Sequence, residues 1–418
     1  MDKPKPFDIP KSLIVEAYKL VKANKGGVGV DRESLEDFDK KLKKNLYKIW
    51  NRLSSGSYFP PAVRGVEIPK KQGGKRMLVV PTVSDRIAQM VIKLMFEAEV
   101  EPHFLEDSYG YRPHKSALDA IEITRKRCWK YKWLIEFDIK GLFDNIDHEL
   151  LMKAVRHHTD NRCTLLYIER WIKAPLEAPD GTIRSRESGV PQGGVISPIL
   201  SNLYLHYVFD KWMTRKHPEA LWCRYADDGI CHCKTREQAE SLLTELEQRF
   251  KECKLEIHRE KTKIVYCESS HRRQSYAGNK SFVFLGYEFR ARRAENKKTK
   301  EVFTGFLPAI SPKAKKDITA KIRALNVRNK SDLSLQEIAK WLNPMIQGWI
   351  NYYGKYTPSA LNTVFQRLNR TLVKWSMNKY KKLANRTIYA DKCMKEFARK
   401  HTNLFAHWKA GIITSAFT

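Results

Sequence analysis

Asp227 and Asp228 stand side by side in Leu221–Cys233, which reads Leu-Trp-Cys-Arg-Tyr-Ala-Asp-Asp-Gly-Ile-Cys-His-Cys. Apolar and β-favouring residues flank an Asp-Gly pair on both sides, the strongest short-range hairpin signal. The two carboxylates are therefore expected at or near a hairpin tip. Adjacent like charges repel, so the pairing needs a reason: either a solvated turn or a divalent cation, which prefers carboxylate oxygens. A third acid, Asp138, ends the apolar run Trp133–Asp138, which predicts a short buried strand with its carboxylate at the sheet edge. If that edge meets the hairpin, three carboxylates could hold two Mg²⁺ ions about 3.5–4 Å apart, the clamp used for in-line phosphoryl displacement. One ion would serve the attacking 3′-oxygen and the other the leaving pyrophosphate. An Asp before a turn can also cap a helix, a role that suits Asp144 and Asp147 better.

Between the acids lies Gly189-Val190-Pro191-Gln192-Gly193-Gly194-Val195-Ile196-Ser197-Pro198. Its glycines let a backbone approach a flat ligand closely, and Gln192 offers a donor and an acceptor beside them. The run is either a tight loop before a helix or a contact to a nucleotide or template.

The positioning elements follow from periodicity. Leu13, Ile14, Ala17, Tyr18 and Val21 predict a helix over 11–24, closed by the loop Lys25–Asp31, and residues 33–53 resume a helix. Val63–Pro69 and Lys75–Pro81 predict two strands about a Gly73-Gly74 turn, followed by a helix over 84–99 capped by Ser84. Leu142–His158 reads as turn and helix, 194–216 as one long apolar helix, and 236–253 as another. Lys261–Cys267 and Phe282–Arg290 predict strands, and the chain beyond 312 is mostly helical.

At 418 residues the chain exceeds one compact core, so two or three domains are expected. Lys plus Arg number 77 and Asp plus Glu 47, a net charge of +30 that attracts polyanions. Nucleic acid is the leading partner, because phosphate neutralisation supplies most non-specific affinity. No apolar run is long enough to span a bilayer, so a membrane is not expected as partner. The eight cysteines include no Cys-x-x-Cys pair, which argues against zinc and for reduced, buried thiols in a cytosolic protein. Residues 287–418 carry 27 basic and 8 acidic side chains, most of the excess in under a third of the chain. That shift predicts a catalytic body followed by a basic region that grips RNA or DNA.

In this order the motifs resemble those of bacterial group II intron reverse transcriptases, or maturases. The resemblance runs through Val63–Asp85 with Pro81–Arg86, then Ser108–Pro113, Phe137–His148, Gly189–Leu200, Tyr225–Asp228, His258–Thr262, Phe284–Tyr287 and Trp341–Tyr353. It implies an α+β right-hand polymerase: fingers and a palm built on an antiparallel sheet packed with helices, then an all-α basic thumb. The implied division is 1–60 for an N-terminal extension and the start of the fingers, and 61–290 for fingers and palm. The thumb, or maturase domain, takes 291–385, and 386–418 is a basic tail that could be a DNA-binding remnant.

The resemblance also implies site roles. Asp138, Asp227 and Asp228 match the catalytic metal triad, with Ile139 among the metal contacts; two Mg²⁺ are implied, and Mn²⁺ could substitute. Phe143 matches the aromatic under the sugar that disfavours a ribose 2′-OH; otherwise it is a core Phe. Lys70 and Arg76 match triphosphate-holding fingers residues, otherwise hairpin surface charges. Gln192 matches a residue near the incoming nucleotide, and Lys261 a lysine near the leaving pyrophosphate. Arg112, Lys313, Lys315, Lys316, Arg323, Arg367, Arg370 and Lys374 are the implied nucleic-acid contacts, joined on the basic surface by Lys321, Lys379, Lys381 and Lys382. The implied partners are a group II intron RNA, an RNA template with a DNA primer, dNTPs and a DNA target, in a bacterial cytoplasm. Relatives often add an endonuclease with cysteine pairs; no such cluster is present, and none is expected.

Within the basic region, Ile338, Trp341, Leu342, Met345, Ile346, Trp349, Ile350 and Tyr353 form an apolar helical stripe. Pro344 inside it predicts a kink, or a restart capped by Asn343. The expected activity is RNA-directed DNA synthesis together with intron binding and assisted splicing. A splicing-only cofactor and a domesticated enzyme of defence or repair are the alternatives.

Overall fold

The computed structural model describes residues 5–69, 75–272, 276–295 and 299–414. Lys70 and the Gly73-Gly74 turn lie outside the described residues. The chain divides into two compact units, residues 1–120 with 134–264 and residues 121–133 with 265–418. The second thus begins ahead of the boundary expected at 290.

In the first unit, β1 (Val63–Pro69) and β2 (Lys75–Val80) pair antiparallel, from Arg64 opposite Val80 to Pro69 opposite Lys75. The strands that follow are β3 (Trp133–Asp138), β4 (Leu176–Glu177), β5 (Ile183–Arg184), β6 (Trp222–Tyr225), β7 (Asp228–Cys233) and β8 (Lys263–Tyr266), with the division between the units falling at the start of β3 and inside β8. One sheet has the order β2-β1-β4-β5; the other runs β6-β7-β3-β8, which sets the Asp138 strand beside the Asp228 strand. Trp133, Leu134, Ile135 and Phe137 of β3 are buried, as a covered central strand requires. The helix Arg236–Glu252 buries Ala239, Leu242, Leu246 and Phe250 at helical spacing. Phe250 and Phe209 pack on the Phe137 ring at centroid distances of 5.7 and 5.1 Å.

Several elements depart from their sequence reading. The helix after β2 spans Val83–Val100 and is capped by Thr82, whose hydroxyl accepts from Asp85 N; Ser84 lies inside it. The helix expected over 33–53 breaks into Leu35–Asp39 and Leu42–Ser54. The long helix expected from 194 starts at Ser197 and widens into a π turn over His206–Asp210 before Lys211–Lys216. Asp147 caps His148–His158 by accepting from Leu150 N at 2.9 Å, the structural role expected of it.

The second unit opens with a three-stranded antiparallel sheet, so the region after 290 is not all-α. The single strand expected over 282–290 is a hairpin, β9 (Ser281–Phe284) and β10 (Tyr287–Glu295), turning at Leu285 (φ 50°) and Gly286 (φ 80°). β11 (Val302–Ile310) pairs along the whole of β10. The helices Pro312–Ala324, Leu335–Tyr353, Asn362–Lys379 and Thr387–Lys400 follow. Ile338, Leu342 and Ile346 meet Phe365, Leu372, Trp375 and Trp408 in their core. Pro344 sits within a continuous helix. Asn343 does not cap a restart: its amide donates to Leu404 O and its carbonyl accepts from Ala406 N. No described helix is long and apolar enough to cross a membrane. The cysteines are free thiols, all buried except half-buried Cys393.

Candidate active site

The hairpin closes two residues earlier than the Asp-Gly pair suggested. Tyr225 lies opposite Asp228, leaving Ala226 and Asp227 as the two-residue tip, and Ala226 takes the left-handed φ of 55°. Gly229 pairs with Arg224 inside the ladder. Its missing side chain is needed for packing, since a Cβ there would fall 2.1 Å from the Phe137 ring. The strained tip is clamped from outside. A Cβ on Gly110 would lie 2.3 Å from Ala226 N, so only glycine lets the 108–111 segment lie against the turn.

Behind the tip lies a buried cation. Arg224 is fully buried and donates to both carboxylate oxygens of fully buried Asp210, at 2.8 and 2.7 Å. It also donates to Asn202 Oδ1, Ser108 Oγ and the carbonyl of Ala226. Asn202 in turn donates to Gly110 O at 2.6 Å. Burial pushes the Asp210 carboxyl up, and the Arg224 guanidinium opposes that rise. A buried charge is tolerable only when paired and hydrogen-bonded in this way. The network locks the turn backbone, and sequence reasoning missed it. Its one signal was a pair of opposite charges, Asp210 and Arg224, each set in an apolar run.

Asp138 ends β3 next to Asp228, and its carbonyl accepts from His258 N at 2.8 Å. The His258–Thr262 turn so held delivers the Lys261 ammonium onto the Asp138 carboxylate. Two residues along each strand, Lys263 pairs with Glu136 at 3.1 Å. Crowding by protein atoms, then the charges of Asp227, Asp138 and Glu136, push Asp228 up to about 7. Asp227 is also raised, by desolvation first and Asp138 second. Tyr111, at a left-handed φ of 58°, feels the same charges: burial and then Asp227 raise its phenol. Sequence reasoning gave Tyr111 no role, although it lies in the quoted Ser108–Pro113 motif.

The glycine-rich loop is pinned beside this edge. Gly189 N donates to Ile146 O and Val190 N to Phe143 O, each at 2.7 Å. A Cβ on Gly189 (φ 78°) would fall 2.6 Å from Asp144 O. Val79 N of β2 donates to Gln192 O at 2.8 Å, and the Gln192 side chain accepts from Arg76 Nε at 2.6 Å. Buried Asp85 accepts from Tyr58, Trp171 and Gln89, and Gln89 accepts from Val195 N at 2.8 Å. A buried polar chain thus ties the Pro81–Arg86 motif to the loop that carries Gln192. Three expected nucleotide contacts, Arg76, Phe143 and Gln192, are brought onto one connected framework.

The reverse transcriptase (RNA-dependent DNA polymerase) model matches residues 68–289, more than half the chain, and the group II intron maturase-specific domain model matches residues 315–394. The chain belongs to the reverse transcriptase family. It is 30% identical to Protein YkfC of Escherichia coli (strain K12), over 67% of this chain and 81% of that protein. It is 26% identical to the group II intron-encoded protein LtrA of Lactococcus lactis subsp. cremoris, over 89% of this chain and 74% of that one. The putative COX1/OXI3 intron 1 protein of Saccharomyces cerevisiae matches at 30% identity over 48% of this chain and 24% of its own length. The chain is therefore an RNA-directed DNA polymerase that carries a group II intron maturase domain, and reverse transcriptases use divalent metal ions.

The reverse transcriptase's carboxylates suit such an ion. Hard oxygens, mutual repulsion and a lysine ammonium already seated on Asp138 all describe a place for positive charge. Among the described residues no three acidic, His or Cys side chains stand close enough together to hold a metal ion between them. Ile139 is buried next to Asp138 and bridges to Ile257.

One expected contact is overturned. Arg112 cannot reach nucleic acid, because its guanidinium donates to Glu101 and to the carbonyls of Leu105 and Ser108 at 2.6–2.8 Å and is nearly buried. It staples the 101–112 segment instead. Lys379 likewise donates to Ser331 O and Leu333 O. Lys313 and Lys316 are exposed on the first turn of Pro312–Ala324, and Lys315 is half-buried there. Arg323, Arg367, Arg370 and Lys374 gather around one cavity.

Proposed function

We propose that Asp138, Asp227 and Asp228, with the backbone at Ile139, hold two Mg²⁺ ions, for which Mn²⁺ can substitute. When bound, these ions would neutralise charge on the attacking 3′-oxygen and the leaving pyrophosphate. The chain's own groups do the rest. Arg76, oriented by Gln192, takes the triphosphate of a dNTP as a charge-assisted donor. Lys70, outside the described residues, is assigned the same task. Phe143, held by the Val190 contact, lies under the sugar and disfavours a 2′-hydroxyl. Lys261, seated on Asp138 in the metal-free chain, is the ammonium that would face the departing pyrophosphate.

The template is RNA with a DNA primer, and the second unit supplies RNA affinity through Lys313, Lys315, Lys316, Arg323, Arg367, Arg370 and Lys374. Its maturase-specific domain and the intron-encoded relative support a group II intron RNA as partner, a DNA target as the product's destination, and a cytoplasmic setting. Residues 1–290 are read as fingers and palm, 291–385 as thumb and 386–418 as tail. The observation that carries this reading is the adjacency of β3 and β7, which gathers three mutually repelling carboxylates. Asp227→Ala is expected to lower primer extension by about 10³-fold or more while RNA affinity in filter binding stays within about twofold. Retained synthesis would sink the metal assignment.

A further inference from the structure

The second unit contains a cavity of about 570 Å³ between the helix Pro312–Ala324, the turn at 326–328 and the helix Asn362–Lys379. Its floor is apolar, formed where Ile322, 4% exposed, lies over fully buried Val327. Its rim is cationic, with Arg323 and Arg328 on one side and Arg367 and Lys374 on the other, and no acidic residue lines it. Among the described residues those four cations are exposed and make no ion pair. Asn326 and Thr371 add side-chain polar groups between floor and rim.

A surface that only tracks duplex phosphates needs charge and no concavity. Here charge surrounds a hole with an apolar bottom, in the size range of about 300–1,000 Å³ typical of small-molecule sites. The ligand that matches both features is a flat heterocycle attached to phosphates. Sequence-selective RNA recognition works on unpaired bases that can be splayed out, stacked and hydrogen-bonded at their edges, often against arginine planes. We propose that this cavity receives one unpaired nucleotide of a structured RNA, its base over Ile322 and between the aliphatic stems of the rim side chains, and its flanking phosphates on Arg323, Arg328, Arg367 and Lys374. The proposal deepens the RNA-binding reading of this unit and rests on it.

The test uses the full-length protein and two short RNA hairpins that differ only by a single bulged adenosine. Fluorescence anisotropy is expected to show about tenfold tighter binding of the bulged hairpin. Thr371→Trp, which fills the cavity, should abolish that difference and leave affinity for the perfect hairpin and primer extension within about twofold. As a check that needs no variant, 4-thiouridine placed at the bulge should crosslink to residues lining the cavity. Equal wild-type affinity for the two hairpins overturns the proposal, as does a preference that survives in folded Thr371→Trp or a crosslink that maps elsewhere. Binding to neither hairpin would overturn the RNA-binding reading as well, which separates the two failures. Free AMP is the remaining arm: if it competes at the concentration of the bulged hairpin, the site takes mononucleotides and the proposal fails.

Discussion

One place in each unit carries a local electrostatic imbalance, and the two are opposite in sign. At the edge of β3 and β7, four acids (Glu136, Asp138, Asp227 and Asp228) share two lysines, Lys261 and Lys263. Around the cavity of the second unit, exposed cations stand with no acid among the lining residues. The first imbalance is enclosed by a rigid support, because Arg224, Asp210 and Asn202 fix the turn that bears Asp227. The second is laid over an apolar helical core that does not depend on those charges. Excess negative charge in a confined, preorganised place suits a small hard cation. Excess positive charge on an open helical surface suits a polyanion, whose phosphates can move to meet it.

If this contrast is right, charge removal should cost stability in the buried support of the first unit and only affinity on the surface of the second. The largest effect is expected at Arg224→Met, which strands Asp210 in the interior. Chemical denaturation should show a loss of about 3–5 kcal/mol, and Asp210→Leu in the same chain should restore much of it. A small loss would mean that the network is ornamental to the turn. The triple reversal Arg323→Glu, Arg367→Glu and Lys374→Glu tests the other side. RNA affinity should fall about 10²-fold or more and the slope of log affinity against log salt should flatten by about 2–3, with stability changed by only about 0.5 kcal/mol.

The smallest effect concerns Asp228. Its folded pKa of about 7 lies above the unfolded carboxylate value of about 3.9, so the folded chain holds an extra proton between those limits. The stabilising contribution is complete below about pH 4 and is lost as pH rises through about 7. Metal-free Asp228→Asn should therefore melt about 1–3 °C higher than the parent at pH 8, with the gap closing toward pH 5. Mg²⁺ should stabilise the parent at pH 8 and less so at pH 6, where a proton competes for the site. A flat pH response would show that the carboxylates do not strain one another.

Much of the site was legible because its signals are local. An apolar run ending in Asp138 and a short hairpin around Asp227 specify strands whose ends must lie at a sheet edge. The turn was displaced because Gly229 serves the Phe137 ring, a contact between residues far apart in sequence. Arg112 was misplaced for a similar reason: nothing near it in sequence announces that Glu101 and two carbonyls will consume its donors. The end of β10 beyond Arg290 and all of β11 were lost to a charge-based boundary, although basic residues alternate readily on the solvent side of a hairpin.

The sequence alone determined which groups are available for chemistry: paired acids, a glycine-rich loop and a surplus of lysine and arginine. Side-chain type and short spacing suffice for that, since acidity, hard-oxygen donation and backbone freedom belong to the residues themselves. Only the tertiary structure decided which of those groups remain available once folded. Burial and hydrogen bonding can either expose a charge or absorb it, and that outcome depends on neighbours that the chain brings in from a distance. Arg224, Arg112 and Arg367 are one residue type in three situations: a buried clamp, a loop staple and an open cation.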